Sequence, residues 1–159
     1  MELQGTEGAA GCRFAIVVSR FNDEITEGLL SGARATLAAA GVAAADVTLV
    51  RVPGAFELPL AARRLAESGD VDAVICLGCL IKGDTMHFEY IAAAASQGIM
   101  DATLATGIPI TFGLLTTLTE EQAQRRAAPG SENKGREAAA AAIEMVTLFR
   151  RLDDARSMS

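Results

Sequence analysis

Ala73-Val74-Ile75-Cys76-Leu77-Gly78-Cys79-Leu80-Ile81-Lys82-Gly83-Asp84-Thr85-Met86-His87-Phe88-Glu89-Tyr90 is the stretch on which the fold turns. Its first five residues have the length and composition of a strand buried on both faces. From Phe88 to Ala95 the pattern reads as a helix, and between the two lie two glycines, an acid, a hydroxyl and the only histidine of the chain. A strand that ends in a Gly-rich turn and opens into a helix aims successive backbone N–H groups at whatever sits above it, which makes a ready anion site. His87 lies near that helix N-terminus, so an anion cradle and a proton-transfer group arrive together. A lone histidine is more often a surface or packed side chain than a catalyst. Two features weigh the other way. The residue follows a strand's carboxyl end, where open α/β sheets hold their ligands, and Gly, Asp and Thr precede it rather than packing residues.

The same strand–turn–helix unit recurs on either side. Upstream, Arg13 to Ser19 is an apolar strand running into Arg20-Phe21-Asn22-Asp23, where Asn22 or Asp23 suits an N-cap. The helix after it repeats Ile25, Leu29, Ala33 and Leu37 and stops at Gly41. Val47 to Val52 is a second strand, entering Pro53-Gly54-Ala55-Phe56-Glu57-Leu58-Pro59 and a helix through Ala66 to Gly69, with Pro59 tolerated in the first turn. Downstream, Ile108 to Leu115 is a fourth strand, in which Pro109 marks an edge or a strand end. Thr119 precedes a short helix over residues 122–127 with a capping sequence, and a turn over residues 128–135 leads to a last helix. That helix stacks Ile143, Val146, Phe149 and Leu152 on one side. Strands alternating with helices define an α/β fold, a flavodoxin-like three-layer α/β/α sandwich on a four-stranded parallel sheet. Residues 1–12 read as an N-terminal arm, 13–152 as the single domain, and 153–159 as a flexible polar tail.

At 159 residues the chain is long enough for one substantial core. A net charge of −6 argues against a nucleic-acid partner, because phosphate backbones demand a basic face. The uncharged run 102–119 has the length of a membrane span but is broken by Gly107, Pro109 and Gly113, so no membrane segment is read there. No N-terminal basic-then-apolar segment signals secretion, and the expected location is the cytoplasm. Cys12, Cys76 and Cys79 give an odd count and no disulfide framework. Cys76 and Cys79 form a C-x-x-C, but a redox pair needs an exposed, electropositive setting, so small core residues are the preferred reading. There is no dinucleotide or nucleotide-phosphate fingerprint and no metal-ligand cluster, hence no cofactor and no metal are expected.

Two further residues stand at strand ends. Phe21 is either a core plug or a platform on which a planar ring stacks. Glu57 either complements a helix N-terminus or accepts hydrogen bonds from substrate hydroxyls.

The runs RFN (20–22), PGAFELP (53–59), GCLIKGDTMHFEY (78–90), FGLLTT (112–117), EQAQRR (121–126), NKG (133–135) and AAIEM (141–145) occur in order along most of the chain. Together they resemble the 6,7-dimethyl-8-ribityllumazine synthase family, a transferase of riboflavin biosynthesis. The resemblance implies condensation of 5-amino-6-(D-ribitylamino)uracil with 3,4-dihydroxy-2-butanone 4-phosphate, releasing phosphate and water. Carried onto this sequence, it implies that Phe21, with Asn22 beside it, takes the pyrimidine, and that Ala55, Phe56 and Glu57 line the ribityl pocket. Cys79, Leu80 and Ile81 bracket the ring, Asp84 and Thr85 hold the phosphate, and Arg126 pairs with it. His87 is then the proton donor and acceptor, Phe112 reaches the pocket from a neighbouring subunit, and Lys134 borders it.

The sequence departs from the family's pattern at residues 128–132, where a common lysine is missing, and at Lys82, which replaces a common arginine. The resemblance also implies a homo-oligomer: a pentamer with active sites between neighbours, the arm adding a strand to the adjacent subunit. A closed icosahedral shell is favoured over a free pentamer or a pentamer dimer, and riboflavin synthase is a candidate partner. A ligand-binding homologue without catalysis and a purely structural shell protein are the alternatives; neither would need both His87 and Arg126.

Overall fold

The computed structural model describes residues 1–159. Four strands, β1 (Phe14–Ser19), β2 (Val47–Val52), β3 (Ala73–Ile81) and β4 (Ile110–Thr117), alternate with helices α1 (Asp23–Ala39), α2 (Leu58–Glu67), α3 (His87–Thr106), α4 (Glu120–Ala127) and α5 (Lys134–Ser157). The strands pair in parallel in the order β2-β1-β3-β4. This is the three-layer α/β sandwich of the flavodoxin-like type. The central strands are apolar throughout because both of their faces are covered. Phe14, Ile16, Val18, Ile75 and Leu77 pack with α1, α4 and α5, while Ala15, Val17, Val74 and Cys76 pack with α2 and α3. Burying a large aliphatic or aromatic side chain contributes about 1.5–3 kcal/mol, so these two cores hold the layers together.

Several local features follow directly from sequence. Gly41 adopts φ 85° after α1. There its N–H reaches the Ala38 carbonyl at 3.0 Å and the Val42 N–H reaches Leu37 at 3.1 Å, the Schellman closure that a glycine permits without steric cost. Thr119 caps α4 by accepting from the Gln122 N–H at 3.1 Å, and Gln122 Oε1 returns to the Leu118 N–H at 2.9 Å. Pro109 precedes β4, which is an edge strand as expected.

Other boundaries differ. β3 does not end before Gly78 but runs through Ile81, which shortens the turn to residues 82–86 and starts α3 at His87. A Cβ at position 78 would crowd Leu114, Leu58 and Ser19, so Gly78 marks close packing within a strand. β4 begins and ends two residues later than expected, at Ile110 and Thr117. The turn before α5 is likewise shorter, since the helix begins at Lys134. Helix α5 continues through Ser157, so most of 153–159 is helical. Phe149 and Leu152 do not join the buried stripe of α5; they are 38% and 39% exposed, whereas Ala138, Ala139, Ala142, Ile143 and Val146 are buried. The first residues lie along their own chain: the Thr6 N–H donates to Thr147 Oγ1 at 2.8 Å, Arg151 to the Gln4 carbonyl at 2.7 Å, and the Ala9 N–H to Ala40 at 2.9 Å. Ala9 and Cys12 are part of the core, so it begins before residue 13. No helix is long and apolar enough to cross a membrane.

Candidate active site

Because β1 lies between β2 and β3, the chain leaves it toward one side and later crosses to the other, creating a switch point at the carboxyl ends of these strands. The turn after β1 is tied to both neighbours. The Arg20 N–H donates to the Val52 carbonyl at 2.8 Å and the Phe21 N–H to the Pro53 carbonyl at 3.1 Å. On the other side, Asn22 Nδ2 donates to the Cys79 carbonyl at 2.9 Å. Asn22 does occupy the N-cap position of α1, but its side chain caps nothing; the residue sits in the left-handed region at φ 60°, and its amide spans to β3 instead. Asparagine tolerates that conformation better than most residues. The turn after β1 is thus latched to the end of β2, to the turn that follows it and to β3.

Around this latch stand exposed groups with no packing role. Phe21 is 66% exposed and Phe56 63%, which excludes Phe21 as a core plug and leaves two aromatic faces bare. Glu57 is exposed at the start of α2 and carries no ion pair. Ala55 is buried beneath them. Cys79 and Leu80 are buried, so their side chains belong to the core. Burial pushes the Cys79 thiol up to about 11 and that of Cys76 up to about 12, so neither is a thiolate at neutral pH, and a reactive pair is excluded. Ser19 Oγ is buried here without a partner.

The turn over residues 82–86 is exposed, and α3 begins at its end with no side chain capping its N-terminus. Free N–H groups of a twenty-residue helix therefore face the turn that carries Asp84 and Thr85. His87 is the first residue of that helix and is exposed; its own N–H lies 3.4 Å from Thr85 Oγ1. Lys82 Nζ lies 3.4 Å from Glu89 Oε1, joining the two ends of the turn. The arrangement can hold an anion beside an imidazole.

The remaining expected residues form a second group. Phe112, Arg126 and Lys134 line one cavity of about 520 Å³ together with residues 113–117 of β4, and none of its lining comes from β1, β2 or the 82–87 turn. Phe112 is 47% exposed on the edge strand. Arg125, Gln122 and Glu137 share this cavity and were missed in the sequence, although the EQAQRR run was visible there. Lys134 Nζ pairs with Glu137 Oε2 at 2.8 Å, while Arg125 and Arg126 have no carboxylate partner. In the single chain, Arg126 therefore sits with Phe112 and Lys134 rather than in the group around His87.

A parallel α/β sheet thus carries an aromatic, acidic and imidazole-bearing rim and a separate cationic edge. The sequence profile described as 6,7-dimethyl-8-ribityllumazine synthase matches residues 11–150. A protein of that name from Salinibacter ruber is 50% identical over 151 residues, covering 95% of this chain and 97% of the relative. One from Syntrophus aciditrophicus is 54% identical over 150 residues, covering 92% and 97%. 6,7-Dimethyl-8-ribityllumazine synthase 1 of Caulobacter vibrioides is 53% identical over 140 residues, covering 88% and 92%. The chain belongs to the 6,7-dimethyl-8-ribityllumazine synthase family, and as such is a transferase of riboflavin biosynthesis acting on small-molecule substrates.

Proposed function

We propose that the chain condenses 5-amino-6-(D-ribitylamino)uracil with 3,4-dihydroxy-2-butanone 4-phosphate to give 6,7-dimethyl-8-ribityllumazine, the penultimate step of riboflavin biosynthesis. The observation that carries this reading is the latched rim, where exposed Phe21, Phe56, Glu57 and His87 surround the strand ends of β1 to β3. Phe21 stacks on the pyrimidine. Asn22 closes the pocket beside it, and the backbone of Cys79, Leu80 and Ile81 reads the ring edge. Ala55, Phe56 and Glu57 hold the ribityl chain, Glu57 accepting from its hydroxyls. The N–H groups at Asp84 and Thr85 receive the phosphate.

The substrate amine is itself the nucleophile toward the ketone, so the step needs no protein nucleophile, metal or cofactor. Juxtaposing amine and carbonyl lowers the barrier by about 7–11 kcal/mol at best. His87 moves protons during imine formation, phosphate elimination and ring closure, worth about 10²–10⁴-fold.

Phe112, Arg126 and Lys134 complete the site of a neighbouring copy. The separation of these residues from the His87 group supports that division. So does α3, of whose twenty residues only Ala95, Ile99 and Ala102 are buried, leaving Tyr90, Met100 and Leu104 bare on the outside. The assembly is a pentamer, further closed into an icosahedral shell and located in the cytoplasm, with riboflavin synthase as its candidate partner. The arm, here lying along α5, extends to the adjacent subunit.

The test is a two-substrate assay on purified protein, following phosphate release and the long-wavelength absorption of the bicyclic product. Turnover above a no-protein control, reduced but still measurable in His87→Ala, is the expected result. Absence of turnover in the wild type would sink the proposal.

A further inference from the structure

Asn133 is 2% exposed and carries no role in the chemistry proposed above, yet its side chain touches three helices. Its Nδ2 lies 3.0 Å from the Ala127 carbonyl and 3.1 Å from that of Ala128. These are the last carbonyls of α4, which have no partner inside that helix. The same nitrogen lies 3.1 Å from the Gly28 carbonyl of α1. Its Oδ1 accepts from the Arg136 N–H at 3.0 Å and so caps the N-terminus of α5. Three carbonyls around one nitrogen leave no doubt about the amide's orientation, since the reverse would set oxygen against oxygen. Helix α1 is shaped to receive it: a Cβ at Gly32 would overlap the Asn133 amide, and one at Gly28 would overlap the Ala127 carbonyl.

One side chain therefore closes the end of α4 and the start of α5 together. Arg126 precedes Ala127 at that end of α4, and Lys134 follows Asn133 at that start of α5. Of the three cations of the β4-edge cavity, Arg126 stands one residue from the Ala127 carbonyl that this amide holds and Lys134 one residue from Asn133 itself. We propose that Asn133 is a positioning residue that fixes Arg126 and Lys134 relative to one another, and so sets the geometry of the phosphate-binding edge. The inference rests on Arg126 pairing with the substrate phosphate and Lys134 bordering the same pocket, as the family resemblance implies, within the site proposed above. Its acceptors are all backbone carbonyls. The sequence of 128–132 is therefore free to depart from the family's pattern without loosening the pair.

Asn133→Ser separates positioning from folding, because serine keeps the cap on α5 but cannot reach the carbonyls of α1 and α4. Full-length wild type, Asn133→Ser, Gly32→Ala and Arg126→Ala are compared by circular dichroism, by calorimetric titration with inorganic phosphate, and by kinetics with each substrate varied. Gly32→Ala displaces the amide without removing any of its hydrogen-bonding atoms, and it remains informative if Asn133→Ser fails to fold. Misplacing a binding group by an ångström costs up to about 10²-fold. The expected result is phosphate binding weakened about ten-fold in both variants, a KM for the sugar phosphate raised by a similar factor, and kcat and the pyrimidine KM within about two-fold of wild type. A folded Asn133→Ser or Gly32→Ala with unchanged phosphate affinity overturns the inference, as does a fall in kcat with both KM values unchanged. Wild type that binds no phosphate overturns the role of Arg126 and Lys134, and this inference with it.

Discussion

Removing the Arg126 side chain should weaken one substrate and spare the other. Its guanidinium lines the β4-edge cavity without a carboxylate partner, whereas Lys134 in the same cavity shares its charge with Glu137 at 2.8 Å. A hydrogen bond to a charged group contributes about 1.5–3 kcal/mol. Both arginines of the cavity are exposed in the single chain, so screening favours the lower half of that range. At 1.4 kcal/mol per factor of ten, Arg126→Ala should raise the KM for the sugar phosphate about ten- to thirty-fold. Lys134→Ala should raise it by less, about three-fold, because part of that charge is already neutralised. Glu137→Gln frees Lys134 and should change the KM in the opposite direction, lowering it about two-fold. The assay is the initial rate of phosphate release, with sugar phosphate varied at saturating pyrimidine and repeated at rising ionic strength. Salt should erode the wild type's advantage over Arg126→Ala. An unchanged sugar-phosphate KM in Arg126→Ala, or weaker binding in Glu137→Gln, would refute the reasoning.

Alkaline stability should depend on the two buried thiols of β3. Their native values are pushed up from 9.0 to about 12 and about 11 by burial. The unfolded chain thus releases these protons above about pH 9 while the native chain keeps them, and stability falls as pH rises from there. Urea midpoints between pH 8 and 10.5 should drop for the wild type and fall less steeply for a Cys76→Ala, Cys79→Ala double variant; parallel slopes would contradict this. Asn22→Gly keeps the left-handed backbone but loses the bond to Cys79, which should cost about 1 kcal/mol in urea unfolding. Asn22→Asp sets a carboxylate against the Cys79 carbonyl and should cost more, and the reverse order would show that the latch is not what Asn22 supplies.

The layers were legible because strands covered on both faces must be apolar throughout, as Phe14 to Val18 and Ala73 to Leu77 are. The end of β3 was not, since Gly78 carries the same letter whether it turns the chain or makes room for Leu58 and Leu114. Phe149 and Leu152 kept the helical period of a buried face in a part of α5 that nothing in this chain covers. Asn22 looked like a cap because local spacing cannot reveal a partner 57 residues away. The same limit hid Asn133, whose contact with Gly28 spans 105 residues. The places of Phe21, Glu57 and His87 beyond strand ends were readable from the alternation of strands and helices. That Arg126 stands with Phe112 and Lys134 depends on how α4 and α5 return along β4, which no local pattern encodes.

The separation of the His87 group from the Arg126 group has a genetic consequence. If each working centre borrows one group from each of two copies, two alleles that are each impaired alone can rescue one another. A chain lacking His87 still lends its Arg126, and a chain lacking Arg126 still lends its His87. In a randomly mixed ring of equal parts, about one junction in four receives both intact halves. Co-expression of the two impaired chains would then return about a quarter of the centres to wild-type composition, with a matching gain over either chain alone, whereas a chain carrying both lesions rescues neither.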